Sequence, residues 1–171
     1  AGGRNPPQGP AGGGENPLYS PPNKSFLGIR EAVPGYEPEP RKWDWSVDSN
    51  QRRVLFSSIK KGVDQFEAFS NSPPYWMTKS GSVTGMPDGS DNLDPQYNQA
   101  FADYLVEVTK HFRDEWGVTF RTLEPVNEPI SGWWKQGGHQ GGCHFSRAAQ
   151  TAIVDATAAS LAAKHLHGTT V

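Results

Sequence analysis

The sequence predicts an α/β fold that forms part of a (β/α)8, or TIM, barrel, and three observations support this. Helical and strand-like segments alternate along the chain, which favours a parallel sheet covered by helices. The long loops follow strands, whereas only a few residues lead from each helix to the next strand, as in a barrel with its active-site loops after the strands. A doubly wound sheet is the alternative, but no G-x-G-x-x-G turn follows either strand.

The first 47 residues differ in composition from the rest of the chain. Residues 1–40 are dense in Gly and Pro without periodic apolar positions, which predicts a long loop or extended structure; disorder is the alternative. Interspersed apolar residues favour docking on a scaffold: Tyr19, Phe26, Leu27, Ile29 and Tyr36. We expect one domain over 1–171, with a loop-rich segment 1–47 and regular βα units over 48–171.

The first regular unit begins with a helix that one of residues 48–50 (Asp-Ser-Asn) can cap. Its apolar face, at a period near 3.6, is expected to consist of Val54, Leu55, Ile59 and Val63. Residues 65–70 then predict a short strand that ends near Asn71. A loop rich in Gly, Ser and Asp follows over 79–92.

The second unit opens at Asp94, an N-cap residue followed by proline at the first helical position. The expected apolar face of this helix is Tyr97, Phe101, Tyr104, Leu105, Val108 and Phe112. Gly117 is placed to end the helix. The apolar, β-prone residues 118–123 predict the next strand, which leads to Asn127.

The third unit starts at Ser146, which can cap a helix extending to Gly168, and residues 169–171 predict the start of another strand. The strand ends near Asn71 and Asn127 lie about 56 residues apart. Eight such units would need on the order of 400 residues, above the usual ~250 of this fold but within its range. We therefore expect these 171 residues to be about three consecutive units of a larger protein.

Composition excludes several classes of function. A net charge of −2 gives no electrostatic basis for binding nucleic acid or an anionic membrane. No apolar run approaches the roughly 20 residues of a membrane span, and no signal-peptide pattern is present. The single cysteine, Cys143, excludes an internal disulfide. We expect no cofactor, no nucleic-acid partner and no membrane span.

The most informative segment is 124–129, Glu-Pro-Val-Asn-Glu-Pro, directly after a predicted strand. It places Glu128 and its neighbour Asn127 at the carboxyl end of a parallel strand, where barrel enzymes carry catalytic groups. A retaining glycosidase needs an acid that protonates the leaving oxygen and an amide that holds a sugar hydroxyl. Such an acid requires a raised pKa, from partial burial and a nearby carboxylate. A surface turn is the alternative interpretation of this segment. Glu124 is a second candidate for the acid on the same side of the strand, but its deeper position favours a structural role.

Three segments carry a family resemblance. Residues 70–78, Ser-Asn-Ser-Pro-Pro-Tyr-Trp-Met-Thr, resemble the strand-three signature of glycoside hydrolase family 30, and residues 122–129 resemble its acid/base strand. Residues 140–145 resemble the loop that follows, although relatives tend to carry an acidic residue in place of Gly141. The resemblance covers most of residues 42–171, with a short further match at residues 2–5, Gly-Gly-Arg-Asn.

The resemblance implies a retaining β-glycosidase on a (β/α)8 barrel, with Glu128 as general acid/base and Asn127 as a hydroxyl contact. The family's nucleophile, a glutamate from a late strand, has no counterpart here. The segments are most similar to those of endo-β-1,6-galactanases; β-1,6-glucanase, xylanase and glucosylceramidase activities are the alternatives. From another class, a non-catalytic glycan-binding or structural fragment is also an alternative.

The expected partner is a β-linked oligo- or polysaccharide, and the resemblance implies a secreted protein that is monomeric at full length. Further substrate contacts are expected from Asn71, Trp76, Trp133, Trp134 and His144. For each tryptophan the alternative is packing, and one of the adjacent pair is expected to be structural. Three potential metal ligands, His139, Cys143 and His144, match no standard zinc spacing, so we predict hydrogen bonding there and no metal site.

Overall fold

The computed structural model describes residues 35–138 and 141–171. Within them, helices and strands alternate as the sequence predicts. The elements are α1 (Ser49–Lys60), β1 (Glu67–Phe69), α2 (Asn98–Trp116), β2 (Thr122–Glu124) and α3 (Arg147–Ala163), with single 3-10 turns at Tyr75–Met77 and Pro95–Tyr97. The expectations for residues 1–34, including four of the five docking residues and the match at 2–5, lie outside the described residues.

The sheet is parallel and follows chain order. Glu67 of β1 pairs with Thr122 of β2, and the register continues to Phe69 beside Glu124. On the other side of β2, Thr122 forms a parallel bridge with Thr170, so the strand predicted at 169–171 begins where expected. Strands that are neighbours in both chain order and space, with helices between them, form a β-α-β-α-β arrangement.

The predicted helix boundaries are confirmed where a cap is encoded locally. The Asp94 side chain accepts a hydrogen bond from the Gln96 backbone N–H and caps the 3-10 turn that leads into α2, so the α-helix itself begins later than predicted, at Asn98. Gly117 ends α2 in the left-handed conformation at φ +67°. Ser146 caps α3 through its side-chain oxygen. Another boundary was wrong: α3 ends at Ala163, before Gly168, because the chain turns after Lys164.

Two predictions about the first and second units need correction. No residue of α1 is fully buried: Leu55 of the predicted face packs partly against the core together with Phe56, whereas Val54 and Ile59 are exposed. Val63, also predicted for this face, lies after the end of α1 and is exposed. Strand β2 is shorter than the predicted 118–123. The Val118 N–H donates to the carbonyl of α2 that precedes it by six residues, so this segment closes the helix before it joins the sheet.

The core lies between one face of the sheet and the helices. Leu123 is buried and Ala68, its partner in the register, packs against the core from β1. The apolar face predicted for α2 is largely buried, with Phe101, Tyr104 and Leu105 among its most enclosed residues. The docking predicted for Tyr36 is confirmed, since its ring is 1% exposed and packs edge-on to a phenyl ring of α2.

Across the described part of the chain, no helix has the length and apolar character needed to cross a bilayer.

Candidate active site

The ends of β1 and β2 bring the two sequence motifs together. The backbone ladder continues past the strands: the Ser70 N–H donates to the Glu124 carbonyl, and the Asn127 N–H donates to the Ser70 carbonyl, each at 3.1 Å. This register places Asn71 beside Asn127, whose side-chain Nδ2 donates to Oδ1 of Asn71 at 3.1 Å. Two predicted substrate contacts, separated by about 56 residues, therefore form one polar pair at the carboxyl edge of the sheet.

Glu128 lies immediately after the last rung of this ladder, in an unusual backbone conformation. Its φ is +46°, in the left-handed region that costs a residue with a side chain about 1 to 2 kcal/mol. Its carbonyl accepts two hydrogen bonds, from the Ser131 backbone N–H at 3.0 Å and from Nε1 of Trp134 at 2.8 Å. These two donors hold the strained residue in place.

The predicted environment of Glu128 is only partly found. Its side chain is exposed, so the expected partial burial is absent among the described residues. The expected neighbouring carboxylate is present. Burial, followed by the negative charges of Glu67 and Glu128, raises the pKa of Glu124 above its usual value. Glu124 therefore lies deeper than Glu128, and the charges of the two carboxylates interact.

Trp134 is buried rather than available to a sugar ring. It is 2% exposed, and its six-membered ring lies where any side chain at Gly142 would project, since a Cβ there would come within 2.0 Å of it. The backbone of Trp134 also packs closely on Gly85, because a Cβ added at Gly85 would lie 2.4 Å from the Trp134 carbonyl oxygen. The prediction that Trp134 forms a subsite wall is corrected by this packing, which occupies the face of the indole.

Trp133 has the opposite environment. It is 61% exposed, with its ring 5.9 Å from that of Trp134 in an edge-on arrangement. Ile130, two residues after Glu128, is 77% exposed. One tryptophan of the adjacent pair is thus buried and the other exposed, in line with the expectation that one of the two is structural; a sugar contact by Trp133 stays a prediction.

Trp76 is held by packing and by its own hydrogen bond. The half-buried indole donates from Nε1 to the carbonyl of Glu37 at 3.1 Å, and its ring packs edge-on against Tyr97 at 5.7 Å. This placement matches the packing alternative for Trp76.

His144 is oriented by an aspartate that the sequence reasoning did not single out. Its Nδ1 lies 2.7 Å from Oδ1 of Asp91, which also accepts the Ser146 backbone N–H and, through Oδ2, the Ser146 hydroxyl. Partial burial acts to raise the pKa of Asp91, but the hydrogen bonds from Ser146 and His144 outweigh it and lower the pKa. Because Asp91 stays ionised and can only accept, Nδ1 of His144 carries the proton of this hydrogen bond.

The loop that carries His144 is joined to the segment after Glu128. The Phe145 N–H donates to the Pro129 carbonyl at 2.9 Å. Asp91 could have been recognised only as one of several polar residues in the predicted loop 79–92, because its partners lie more than 50 residues away along the chain.

A metal site is not formed by the described residues: no group of three or more His, Cys, Asp and Glu side chains is close enough to hold an ion there. His139 lies outside the described residues. Burial raises the pKa of Cys143 to about 12, so it holds its proton and does not offer the thiolate that metal ions bind.

The family assignment follows from this geometry together with the sequence. The model of O-Glycosyl hydrolase family 30 matches residues 36–171, which include both strand ends and the loops that follow them. The chain belongs to O-Glycosyl hydrolase family 30. The resemblance of the two motifs to this family is confirmed.

Two relatives and a solved structure are similar to parts of the chain. An endo-β-1,6-galactanase of Hypocrea rufa is 37% identical over 118 residues, which cover 69% of this chain and 24% of that protein. An exo-β-1,6-galactobiohydrolase of Bifidobacterium longum is 36% identical over 74 residues, 42% of this chain and 5% of that protein. A conserved exported protein from Bacteroides fragilis superposes with a TM-score of 0.72 at 26% identity, covering 80% of this chain and 27% of its own. The chain thus spans about a quarter of the galactanase.

Proposed function

We propose that these residues are part of the catalytic barrel of a retaining β-glycoside hydrolase that cleaves β-1,6-linked galactan, with Glu128 as its general acid/base. One observation carries the proposal: Glu128 directly follows the last ladder rung between β1 and β2, beside the hydrogen-bonded amides of Asn71 and Asn127. The β-1,6-galactan substrate is supported by the two relatives, whose names both specify β-1,6-galactose linkages.

A closed (β/α)8 barrel accounts for the two unlike faces of the sheet. Ala68 and Leu123 pack in the core, whereas on the opposite face Glu67 and Phe69 are exposed and Glu124 is half-buried. Phe69 is 45% exposed, which is unusual for a strand phenylalanine. In a barrel this face becomes the packed interior, and the strand ends at Asn71 and Asn127 open into the active site.

The proposed chemistry is a double displacement. Glu128 donates its proton to the glycosidic oxygen as the bond from that oxygen to the anomeric carbon breaks. A second glutamate, from the part of the enzyme that these residues do not include, forms a bond to the anomeric carbon. Water then attacks this carbon and gives a proton to Glu128, the glutamate leaves, and the anomeric configuration is retained.

The other side chains at this edge suit a β-linked polysaccharide. The amide of Asn127 can hold a hydroxyl of the reacting sugar, and the second ring nitrogen of His144, Nε2, can hydrogen-bond another hydroxyl. The exposed Trp133 ring offers a flat apolar surface to a neighbouring sugar. Because a polymeric galactan is an extracellular substrate, we propose that the full-length enzyme is secreted. The roles proposed for these side chains require no cofactor.

The decisive experiment is Glu128→Gln in the full-length enzyme. Glutamine preserves the shape of the side chain and removes the proton, so turnover of β-1,6-galactan should fall by about 100- to 10,000-fold, the usual contribution of general acid–base catalysis. Azide should partly restore the release of an activated aryl galactoside, because it attacks the glycosyl-enzyme without base assistance. Glu115→Gln, an exposed change on α2, is the matched control and should retain activity.

Substrate and stereochemistry need a separate measurement. We expect the full-length enzyme to hydrolyse β-1,6-galactan in preference to β-1,6-glucan and glucuronoxylan, with the β-anomer as the first product in proton NMR. A preference for glucan or xylan would replace the proposed substrate. Binding of galactan without turnover would support a non-catalytic role, and near-normal activity of the Glu128→Gln variant would refute the acid/base assignment.

A further inference from the structure

We propose that Trp134 is a positioning residue that fixes the backbone of Glu128, and through it the acid, by donating its indole N–H to the Glu128 carbonyl. The proposal rests on the acid/base role of Glu128 proposed above. It gives the buried tryptophan of the adjacent pair a part in catalysis without contact to the substrate.

The Glu128 carbonyl is well placed to accept the indole N–H and is held in a strained segment. The N–H to carbonyl distance is 2.8 Å, and a buried indole N–H needs such a partner because its own desolvation is otherwise uncompensated. Glu128 adopts φ +46°, a conformation that persists only where surrounding contacts impose it. The Ser131 N–H donates to the Glu128 carbonyl and closes a tight turn. The Trp134 side chain supplies a second donor to the same oxygen.

The loop after β1 and the loop after β2 together hold Trp134 in one position. Gly142 leaves space for the ring, and the backbone of Gly85 abuts the Trp134 carbonyl, so neither position tolerates a Cβ without displacing the tryptophan. Backbone hydrogen bonds reinforce the arrangement: the Gly142 N–H donates to Val83 at 2.8 Å and the Gln136 N–H donates to Met86 at 3.2 Å. The loop after β1 therefore helps to set the orientation of the acid after β2.

A positioning role predicts a dependence on the leaving group. Proton donation assists bond breaking for a sugar alkoxide, which is a poor leaving group, and adds little for a dinitrophenolate, which leaves without a proton. A displaced acid should thus slow hydrolysis of galactan while leaving the first step on the activated substrate nearly unchanged. A purely structural loss would lower both rates together.

The test is Trp134→Phe in the full-length enzyme, which keeps an aromatic ring and removes the N–H. Loss of one neutral hydrogen bond should lower kcat on β-1,6-galactan by about five- to tenfold, with KM little changed. The glycosylation rate on dinitrophenyl β-galactoside should stay within about twofold of wild type. Trp116→Phe, at the end of α2, is the control for loss of an indole and should show no leaving-group dependence.

If Trp134→Phe does not fold, replacing Trp134 alone with benzothienylalanine keeps the bicyclic shape and removes only the N–H; the same leaving-group dependence is expected. Equal loss on both substrates, or no loss on either, in a folded variant would overturn the positioning role. It would leave the proposed function intact wherever Glu128→Gln is inactive on galactan. An active Glu128→Gln variant would instead overturn the proposed function, and the positioning role with it.

Discussion

Asp91 offers a measurable test of how the two loops beside the candidate active site are held together. Its carboxylate accepts the Ser146 N–H and hydroxyl, each at 2.6 Å, and Nδ1 of His144 at 2.7 Å. The Ser146 hydroxyl, while donating to Asp91, accepts from the Ala149 N–H and so caps α3. One carboxylate therefore joins the loop after β1 to the loop after β2 and to the start of α3.

The magnitude for Asp91→Asn follows from these contacts. Asparagine retains one acceptor oxygen but loses the charge, and its amide group opposes a donor where the second oxygen stood. Hydrogen bonds to a charged group contribute about 1.5 to 3 kcal/mol each. The Asp91 side chain is 26% exposed, so solvent already weakens them. We expect a loss of about 2 kcal/mol in the free energy of unfolding at neutral pH.

The pH dependence gives the prediction its sign. The folded-state pKa of Asp91 lies below its unfolded value, so its stabilisation is present above about pH 4 and is lost as the pH falls through the lowered pKa. The stability difference between wild type and Asp91→Asn should therefore be largest near neutrality and shrink in acid.

The assay is thermal unfolding of the full-length enzyme between about pH 6 and pH 3. A loss of about 2 kcal/mol corresponds to a Tm decrease of about 4 to 8 °C for a domain of 150 to 250 residues, and to less in a larger one. Asp94→Asn is the matched control: asparagine caps a helix as well as aspartate does, so Tm should hardly change. The role of the Asp91 carboxylate would be refuted if Asp91→Asn had the same Tm as wild type at pH 6. It would also be refuted if the Tm difference between the two proteins were as large at pH 3 as at pH 6.

Two further predictions concern neighbouring residues. Trp133→Ala should raise KM for β-1,6-galactan by about five- to tenfold, the worth of one aromatic stacking contact, and leave kcat and hydrolysis of a small aryl galactoside nearly unchanged in steady-state kinetics. Gly85→Ala should lower Tm more than Gly81→Ala does. Both glycines have positive φ, but only at Gly85 would the added Cβ meet backbone, 2.4 Å from a carbonyl oxygen; equal Tm values for the two variants would contradict this contact.

Features of the fold encoded within a few residues were predictable from the sequence. The cap at Ser146 and the left-handed end of α2 at Gly117 depend on one side chain and its adjacent turn. The order of strands followed from the alternation of short periodic segments, and the bridge at Thr170 agrees with it.

Features that depend on distant partners could not be read from the sequence. The periodicity of apolar residues identified α1, but it does not show which of these residues meet the rest of the chain. Val54 was therefore wrongly predicted to be packed, and it is exposed. The adjacent tryptophans at 133 and 134 are equivalent by composition. Their difference depends on Gly142, since only a residue without a Cβ leaves space for the second indole.

The candidate acid lies between these two cases, because its position is partly encoded by its flanking prolines. Pro125 and Pro129 have no N–H, so in this segment the ladder between β1 and β2 is continued by Asn127, whose N–H donates to the Ser70 carbonyl. The proline after Glu128 also disfavours a helical continuation. The sequence thus favours an end of the hydrogen-bond ladder just before this acid. The direction of the Glu128 backbone depends instead on the hydrogen bond from the Trp134 indole to its carbonyl, which forms only when the two loops pack together.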